Sequence, residues 1–97
     1  MAAYVLAEIE ITNPEGYKDY TNNVPPTIAK HGGRFLVRGG AATPLEGSWP
    51  QQRRVLIEFP SVEAAKRWYD SPDYEKLKAM RIANSKGRLL LLEGVAG

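Results

Sequence analysis

Residues 31–40, HGGRFLVRGG, decide how the remaining sequence is interpreted, because paired glycines stand on both sides of a short alternating segment. Glycine commonly ends a helix in the left-handed conformation, so Gly32 is predicted to be such an end. The segment 34–38 then alternates as a strand does, and the second pair of glycines leads into a loop. Neither pair opens a helix, so the segment differs from a phosphate-binding G-x-G-x-x-G loop.

Length and composition limit the classes of protein to be considered. The 97 residues suit one domain, which is predicted to span residues 1–97. Lys and Arg number 13 against 11 Asp and Glu, and these charges are scattered, so nothing indicates nucleic-acid binding. Cysteine is absent, which excludes disulfides and thiolate metal sites. The N-terminus lacks a signal-like or membrane-spanning stretch, so we expect a cytoplasmic protein without membrane contact.

The sequence before residue 31 predicts one strand and one helix. Residues 4–11 alternate between apolar and mixed side chains, which is typical of a strand. Asn13 followed by Pro14 predicts a helix start, with a capping side chain and a proline at the first helical position. Pro25 and Pro26 cannot donate to the carbonyls one turn earlier, so we expect the helix to kink or restart there.

The sequence after residue 40 predicts two strands and two helical segments. Residues 53–59 alternate as a third strand, after a connection of about fourteen residues that is long for a hairpin and suggests a functional loop. Ser61 and Ser71 each precede a helical pattern and are predicted to be N-caps. The leucine-rich residues 88–93, which follow a glycine, predict the fourth strand.

The order β-α-β-β-α-β predicts an α+β fold, a ferredoxin-like sandwich of a four-stranded antiparallel sheet with helices on one face. Within the sheet, we expect the first and third strands to lie side by side in parallel, with the other two at the edges. The face covered by helices is expected to be almost purely apolar. Its predicted members are Val5, Ala7, Ile9, Ile11, Phe35, Val37, Val55, Ile57, Phe59, Leu89 and Leu91.

The opposite face of the sheet, called the open face below, is also rich in apolar side chains. So much apolar surface on a monomer predicts a partner, and a second copy of the chain would form a dimeric α+β barrel with two-fold symmetry. We therefore expect a homodimer formed through this face. The residues concerned are Tyr4, Leu6, Leu36, Leu56, Leu90 and Leu92.

Charged residues share the open face with these apolar ones. We expect Glu8 and Glu58 at the same end as two of the arginines, and the other two arginines at the opposite end. One interpretation is a network of ion pairs that fixes the dimer interface, since lone charges are costly to bury. The other is a pocket in which arginines bind an anionic molecule while Glu58 acts as a base. The arginines are Arg34 and Arg88 at the first end, and Arg38 and Arg54 at the second.

His31 and Trp49 complete the candidate site. His31, the only histidine, suits either capping of the helix end or acid–base chemistry, but no acidic cluster accompanies it to form a metal site. Trp49 lies in the long loop and suits either packing at the dimer interface or closing of a ligand site. We expect neither a metal nor a cofactor. The candidate catalytic residues are His31 and Glu58, and the candidate substrate-binding residues are Tyr4, Arg34, Arg38 and Trp49.

Other residues that invite a functional interpretation are better explained by structure. None of the four serines lies in a G-x-S-x-G motif, so a hydrolytic triad is not predicted. Trp68, Tyr69 and Tyr74 have helical spacing beside apolar residues and are predicted to pack in the core. For Arg81 the pattern allows two positions, facing either solvent or the sheet.

Seven short motifs spread over nearly the whole chain carry a family resemblance. They are YVLAE from residue 4, NPEGY from 13, VPPTI from 24, HGGRFLVRGG from 31, LEG from 45, EFPS from 58 and SPDY from 71. Together they resemble the bacterial "domain of unknown function 1330" family. The resemblance implies a ferredoxin-like protomer of the dimeric α+β barrel group, and it supplies no established activity. More distant members of that group include cofactor-independent monooxygenases, haem-degrading enzymes, isomerases and dehydratases.

Two functional hypotheses remain after this survey. The first is a binding domain or cofactor-independent enzyme, similar to a monooxygenase or isomerase, that holds a small apolar or anionic molecule inside the dimer barrel. The second is a non-catalytic dimerisation or accessory domain without a ligand. RNA recognition is set aside, because Tyr4 is the only aromatic residue on the open face of the central strands. Paired carboxylates in a filled interior would favour the second hypothesis, and a cavity of roughly 300 Å³ lined by Glu58 the first.

Overall fold

Four strands and three helices alternate in the computed structural model, which describes residues 1–95. The third strand covers the predicted residues, and the predicted loop before it contains neither helix nor strand. The elements are β1 (Ala3–Ile11), α1 (Pro14–Lys30), β2 (Arg34–Arg38), β3 (Arg53–Phe59), α2 (Val62–Tyr69), α3 (Pro72–Asn84) and β4 (Ser85–Glu93).

The strands form one sheet in the order β2-β3-β1-β4, and every neighbouring pair is antiparallel. This arrangement confirms the ferredoxin-like α+β fold. The expectation that the first and third strands run in parallel was wrong. The two crossover connections join β1 to β2 and β3 to β4, so those pairs run in the same direction, but each pair is separated by an intervening strand.

Helix α1 begins and ends where the sequence indicates. The Asn13 side chain accepts a hydrogen bond from the Gly16 amide, and Gly32 follows the helix with a φ of 78°. The expected restart at the two prolines was wrong, because α1 passes through Pro25 and Pro26 as one helix. Pro25 leaves the carbonyl four residues earlier without its usual amide donor, and that carbonyl instead accepts a hydrogen bond from the Arg38 side chain.

Helices α2 and α3 also begin at their predicted capping residues. Ser61 Oγ accepts a hydrogen bond from the Ala64 amide at 3.0 Å, and Ser71 Oγ accepts one from the Tyr74 amide at 3.2 Å. Strand β4 starts three residues before the predicted 88–93, directly after α3. Gly87 therefore lies inside the strand, where a Cβ atom would come within 2.5 Å of the Ile9 side chain.

The core lies between the helices and one face of the sheet. Trp68 and Tyr74 are fully buried there, with their ring centroids 4.2 Å apart. The predicted apolar face of the sheet supplies the other side, except that Ile11 at the end of β1 is partly exposed and Val37 is displaced by a bulge in β2. Buried members from the sheet are Val5, Ala7, Ile9, Val55, Ile57 and Phe59, with Phe35, Leu89 and Leu91 partly buried against them.

The bulge in β2 decides which way the end of that strand faces. Phe35 pairs with Ile57, but Val37 pairs with Leu56, so one extra residue is accommodated between them. As a result, Val37 lies on the open face, 42% exposed, and Arg38 lies on the helix side. Both placements reverse the sequence prediction, because a shift of one residue moves a side chain to the other face.

The helices are short or polar. No helix within residues 1–95 is long and apolar enough to cross a lipid bilayer.

Candidate functional site

The open face carries two separate groups of ion pairs, one toward each end of the strands. In the first group, Glu8 lies opposite both Arg54 and Arg88. The Glu8 carboxylate accepts hydrogen bonds from Arg88 Nε at 2.9 Å and Arg54 Nε at 3.2 Å. Both hydrogen bonds lower the pKa of Glu8, and the bond from Arg88 has the larger effect.

The second group is a row formed by Tyr4, Glu58 and Arg34. These residues lie opposite one another on β1, β3 and β2, and Arg34 Nε donates to Glu58 Oε1 at 2.8 Å. The prediction that Glu8 and Glu58 share one end was wrong, because β1 and β3 are antiparallel and bring their last residues to opposite ends. Three of the six predicted site residues are nevertheless brought together in this row.

Arg38, predicted to bind substrate on the open face, lies on the other side of the sheet. Its guanidinium is 4.5 Å from the centre of the Phe35 ring and donates to the Thr21 carbonyl. The bulge in β2 is the physical reason for this difference. Arg38 therefore cannot belong to a site built on the open face.

His31 lies at the C-terminal end of α1 and is half-buried on the helix side. Its backbone amide donates to the Ile28 carbonyl at 3.1 Å, and its Nδ1 is 3.0 Å from the Thr27 carbonyl. Glu58 lies on the open face, so the sheet separates the two predicted catalytic residues. Any proton transfer would have to use one of them without the other.

Trp49 lies at the end of the open face that carries Glu8, away from the Tyr4 row. Its indole Nε1 donates to the Glu46 carbonyl at 2.8 Å, and the Arg54 guanidinium lies 5.6 Å from its ring centre. The ring is 58% exposed and borders an open cleft of about 1260 Å³ between the long loop and the ends of β1 and β3. Trp49 thus presents an exposed indole beside this cleft, next to the largely buried side chain of Arg54.

A polar cluster that sequence reasoning missed lies between the helices and the sheet. Tyr20 Oη and Tyr74 Oη are 2.8 Å apart, and Arg81 Nε donates to Tyr74 Oη at 3.3 Å. Burial raises the pKa of Tyr20 far above its ordinary value, so this hydroxyl stays neutral. Spacing contained the signal: Arg81 follows Tyr74 and Leu77 on one helical stripe, which places all three on the same side of α3.

This cluster borders a narrow cavity of about 30 Å³, which we call the helix–sheet crevice. Three arginines, Arg38, Arg53 and Arg81, contribute to its wall. The lining contains no acidic residue. It is completed by Val5, Ala7, Ile9, Tyr17, Tyr20, Thr21, Val24, Ile28, Phe35, Val55, Ile57, Trp68 and Leu89.

Nowhere in residues 1–95 do three or more His, Cys, Asp or Glu side chains come together in a way that could hold a metal ion.

Comparison with protein families gives a match over residues 2–95 to the family described as "Domain of unknown function (DUF1330)". The chain belongs to this family. Its description assigns no activity, and no curated protein matches the chain. Family membership therefore establishes ancestry and fold without establishing a reaction.

Several solved structures share the fold. A protein of unknown function from Rhodopseudomonas palustris is 21% identical with a TM-score of 0.78, over 99% of this chain and 84% of that one. A dimeric ferredoxin-like protein of unknown function from Jannaschia sp. CCS1 is 12% identical, with a TM-score of 0.73 over 97% of this chain and all of that one. SnoaB, a cofactor-independent oxygenase from Streptomyces nogalater, is 11% identical, with a TM-score of 0.66 over 99% and 95% of the two chains. At such identities the likeness concerns the fold alone.

Proposed function

We propose that the protein functions as a homodimer in which two copies pack their open faces against each other. The observation that carries this proposal is the exposed apolar surface of that face, where Leu90 is 56% exposed and Leu36, Val37 and Leu92 are each at least 40% exposed. Contiguous apolar surface on a folded protein commonly marks an interface. The dimeric description of the Jannaschia protein, which has the same fold, supports the proposal.

The charges of the open face suit burial against a second copy. Glu8 is held by Arg54 and Arg88, and Glu58 by Arg34, so both carboxylates are paired within one protomer. Burying an unpaired carboxylate would raise the free energy of the dimer by roughly several kcal/mol, whereas burying a well hydrogen-bonded ion pair costs far less. Two copies can therefore meet through this face with Glu8 and Glu58 both paired.

The same pairing gives Glu58 a structural role in the dimer. Arg34 Nε donates to Glu58 Oε1 at 2.8 Å and so orients this carboxylate on the open face, beside Tyr4. We therefore assign the Tyr4, Arg34 and Glu58 row to fixing the register of the two sheets.

The dimer proposal is tested by Leu90→Glu, which places a charge on the open face at the edge strand β4. We expect the parent protein to sediment as a dimer and Leu90→Glu as a folded monomer. Ile82→Glu is the matched control, because Ile82 is 60% exposed but lies on α3, away from the open face. A monomeric parent at about 100 μM, well above the Kd of a stable dimer, contradicts the proposal, as does a dimeric Leu90→Glu.

A second candidate function is binding of a small, partly apolar anion in the cleft beside Trp49. Two observations favour it. The Arg54 guanidinium lies 5.6 Å from the centre of the exposed Trp49 ring, and both Arg53 and Arg54 line the cleft. The cofactor-independent oxygenase SnoaB shows that this fold can carry small-molecule chemistry in another protein. In this chain we propose binding at the cleft, with Trp49 as its cover.

The second candidate is tested with the dye 8-anilinonaphthalene-1-sulfonate, which combines an apolar body with a negative charge. We expect saturable dye fluorescence in the parent protein and at least about tenfold weaker binding in Trp49→Ala, because a buried aromatic contact is worth one or more powers of ten in affinity. Ile82→Ala, which shortens a 60% exposed side chain on α3 outside the cleft, is the control. Equal binding by the parent and Trp49→Ala would remove Trp49 from the site.

A further inference from the structure

The helix–sheet crevice holds a buried guanidinium, that of Arg81, without a counter-ion among residues 1–95. Arg81 is 6% exposed, and its hydrogen bond within residues 1–95 goes to the neutral Tyr74 hydroxyl. The ion pairs formed among the described residues involve other basic side chains: Lys30 with Asp73, Arg34 with Glu58, and Arg54 and Arg88 with Glu8. A buried charge without an opposite charge is costly, so Arg81 calls for an explanation beyond packing.

Arg53 adds a second positive charge at the same place. It lies opposite Ile9, whose side chain is in the core, so Arg53 extends to the helix side of the sheet. Its Nε atom is buried and has no hydrogen-bond partner in the described part of the chain. Arg53 and Arg81 both act on the Tyr17 hydroxyl, and each opposes the rise that burial causes in the pKa of that group. One buried tyrosine thus faces two guanidinium groups.

Arg38 is placed at the mouth of the crevice. It is exposed, lies over the Phe35 ring and donates to the Thr21 carbonyl of α1. The rest of the wall is apolar, with Val24 and Trp68 among its members. The crevice therefore combines positive charge, neutral hydroxyls and apolar surface, and its lining contains no carboxylate.

We propose that the helix–sheet crevice binds a small organic carboxylate, with the carboxylate group between Arg53 and Arg81 and the apolar body against Phe35. A planar carboxylate accepts two parallel hydrogen bonds from a guanidinium, and it would supply the missing negative charge. The cavity of about 30 Å³ has room for one such group in the arrangement seen here. Entry of the apolar body requires Arg38 to release the Thr21 carbonyl, so this arginine acts as a strap across the opening.

A carboxylate suits this crevice better than inorganic phosphate does. Phosphate is larger, carries more charge and needs hydrogen bonds on all its oxygens, which the apolar wall does not provide. Arg53 borders both the crevice and the cleft beside Trp49, whereas Arg38 and Arg81, of these two sites, border the crevice alone. Trp49→Ala is therefore expected to leave the binding of a carboxylate such as benzoate in the crevice unchanged, and a loss of benzoate affinity in Trp49→Ala would assign the binding to the cleft instead.

The test compares benzoate with benzamide, which has the same ring but no charge, by calorimetric titration of the intact protein. We expect benzoate to bind saturably, and benzamide and inorganic phosphate to bind at least about tenfold more weakly, since hydrogen bonds to charged groups are the strong ones. Arg53→Met is expected to weaken benzoate binding at least about tenfold. The control is Arg67→Met, which removes an exposed arginine on α2 outside the crevice.

Each outcome decides the proposal. Undetectable benzoate binding at about 10 mM, equal binding of benzoate and benzamide, or equal affinity in Arg53→Met and Arg67→Met would overturn it. Tighter binding of phosphate than of benzoate would overturn the choice of a carboxylate. Arg81→Met removes the buried charge and is expected to weaken benzoate binding at least about tenfold. Should Arg81→Met fail to fold, Arg53→Met against Arg67→Met decides the proposal alone. Unchanged benzoate affinity in a folded Arg81→Met would remove Arg81 from the site and overturn the proposal.

Discussion

The buried hydroxyl of Tyr74 is expected to contribute more to stability than that of its neighbour Tyr20. Tyr74 Oη contacts both Tyr20 Oη and Arg81 Nε, whereas the Tyr20 hydroxyl has the Tyr74 contact alone among described residues. Tyr20→Phe removes one neutral hydrogen bond, which costs about 1 kcal/mol. Tyr74→Phe removes the same bond and also leaves a buried charged donor without its acceptor, which adds about 1.5–3 kcal/mol.

The measurement is the free energy of unfolding in urea, at one fixed protein concentration so that self-association does not enter the comparison. The double variant is expected to cost little more than Tyr74→Phe alone, because that substitution already removes the partner of Tyr20. The coupling energy between the two hydroxyls is then about 1 kcal/mol. Tyr69→Phe is the control, because Tyr69 packs beside Tyr74 but is 37% exposed.

Two results would refute this reasoning. Equal costs for Tyr74→Phe and Tyr20→Phe would mean that Arg81 does not depend on the Tyr74 hydroxyl. Additive costs in the double variant would mean that the two hydroxyls do not form a hydrogen bond.

Three further predictions concern packing and pH. Gly87→Ala is expected to destabilise the fold by about 1–3 kcal/mol in thermal unfolding, because its Cβ would lie 2.7 Å from the Glu8 carbonyl oxygen, whereas Gly40→Ala, with open space around it, should change little. Stability should fall as pH rises above about 10, because Tyr20 has a raised pKa and stays neutral in the folded protein, whereas the same side chain ionises in the unfolded chain. Tyr20→Phe should make the free energy of unfolding less dependent on pH in this range. Stability should also fall as pH drops below about 4.5. Arg88, and to a lesser extent Arg54, lower the pKa of Glu8 in the folded protein, so the unfolded chain takes up a proton there first. Glu8→Gln should reduce the dependence of the unfolding free energy on pH in urea titrations at several pH values.

Much of the fold could be predicted because local signals and global topology agree. Asn13, Ser61 and Ser71 are capping residues in both the sequence pattern and the structure, and the alternation in residues 53–59 matches β3. The relative direction of the central strands could not be obtained from periodicity, which carries no direction. It follows from the crossover connections. Its misassignment placed Glu58 at the same end as Glu8 and Arg54 at the opposite end, whereas Arg88 was correctly placed beside Glu8.

The candidate site was harder to predict, because its decisive features depend on tertiary contacts. Nothing in the alternation of residues 34–38 indicates a bulge, so Arg38 was placed on the wrong face. The prolines of α1 predicted a kink or a restart. A restart is not needed, because the Arg38 side chain on β2 supplies a donor to the Thr21 carbonyl, and the helical sequence carries no sign of that donor. Arg81 had a recognisable place on its helical stripe, but its burial among tyrosines depends on how α1 and α3 pack together.

The bulge in β2 has a consequence for how this chain can vary in evolution. The extra residue sits between Phe35 and Val37, and the pairing on either side of it is regular. A relative lacking Leu36 would keep Val37 opposite Leu56 and Arg38 on the helix side, in an uninterrupted strand. Removal of one residue therefore keeps Arg38 on the helix side, where it can contact α1. A relative that has all five residues of β2 but no bulge would instead carry this arginine on the open face. Length variation at this position, more than the identity of the side chains, should distinguish relatives that keep the strap from those that do not.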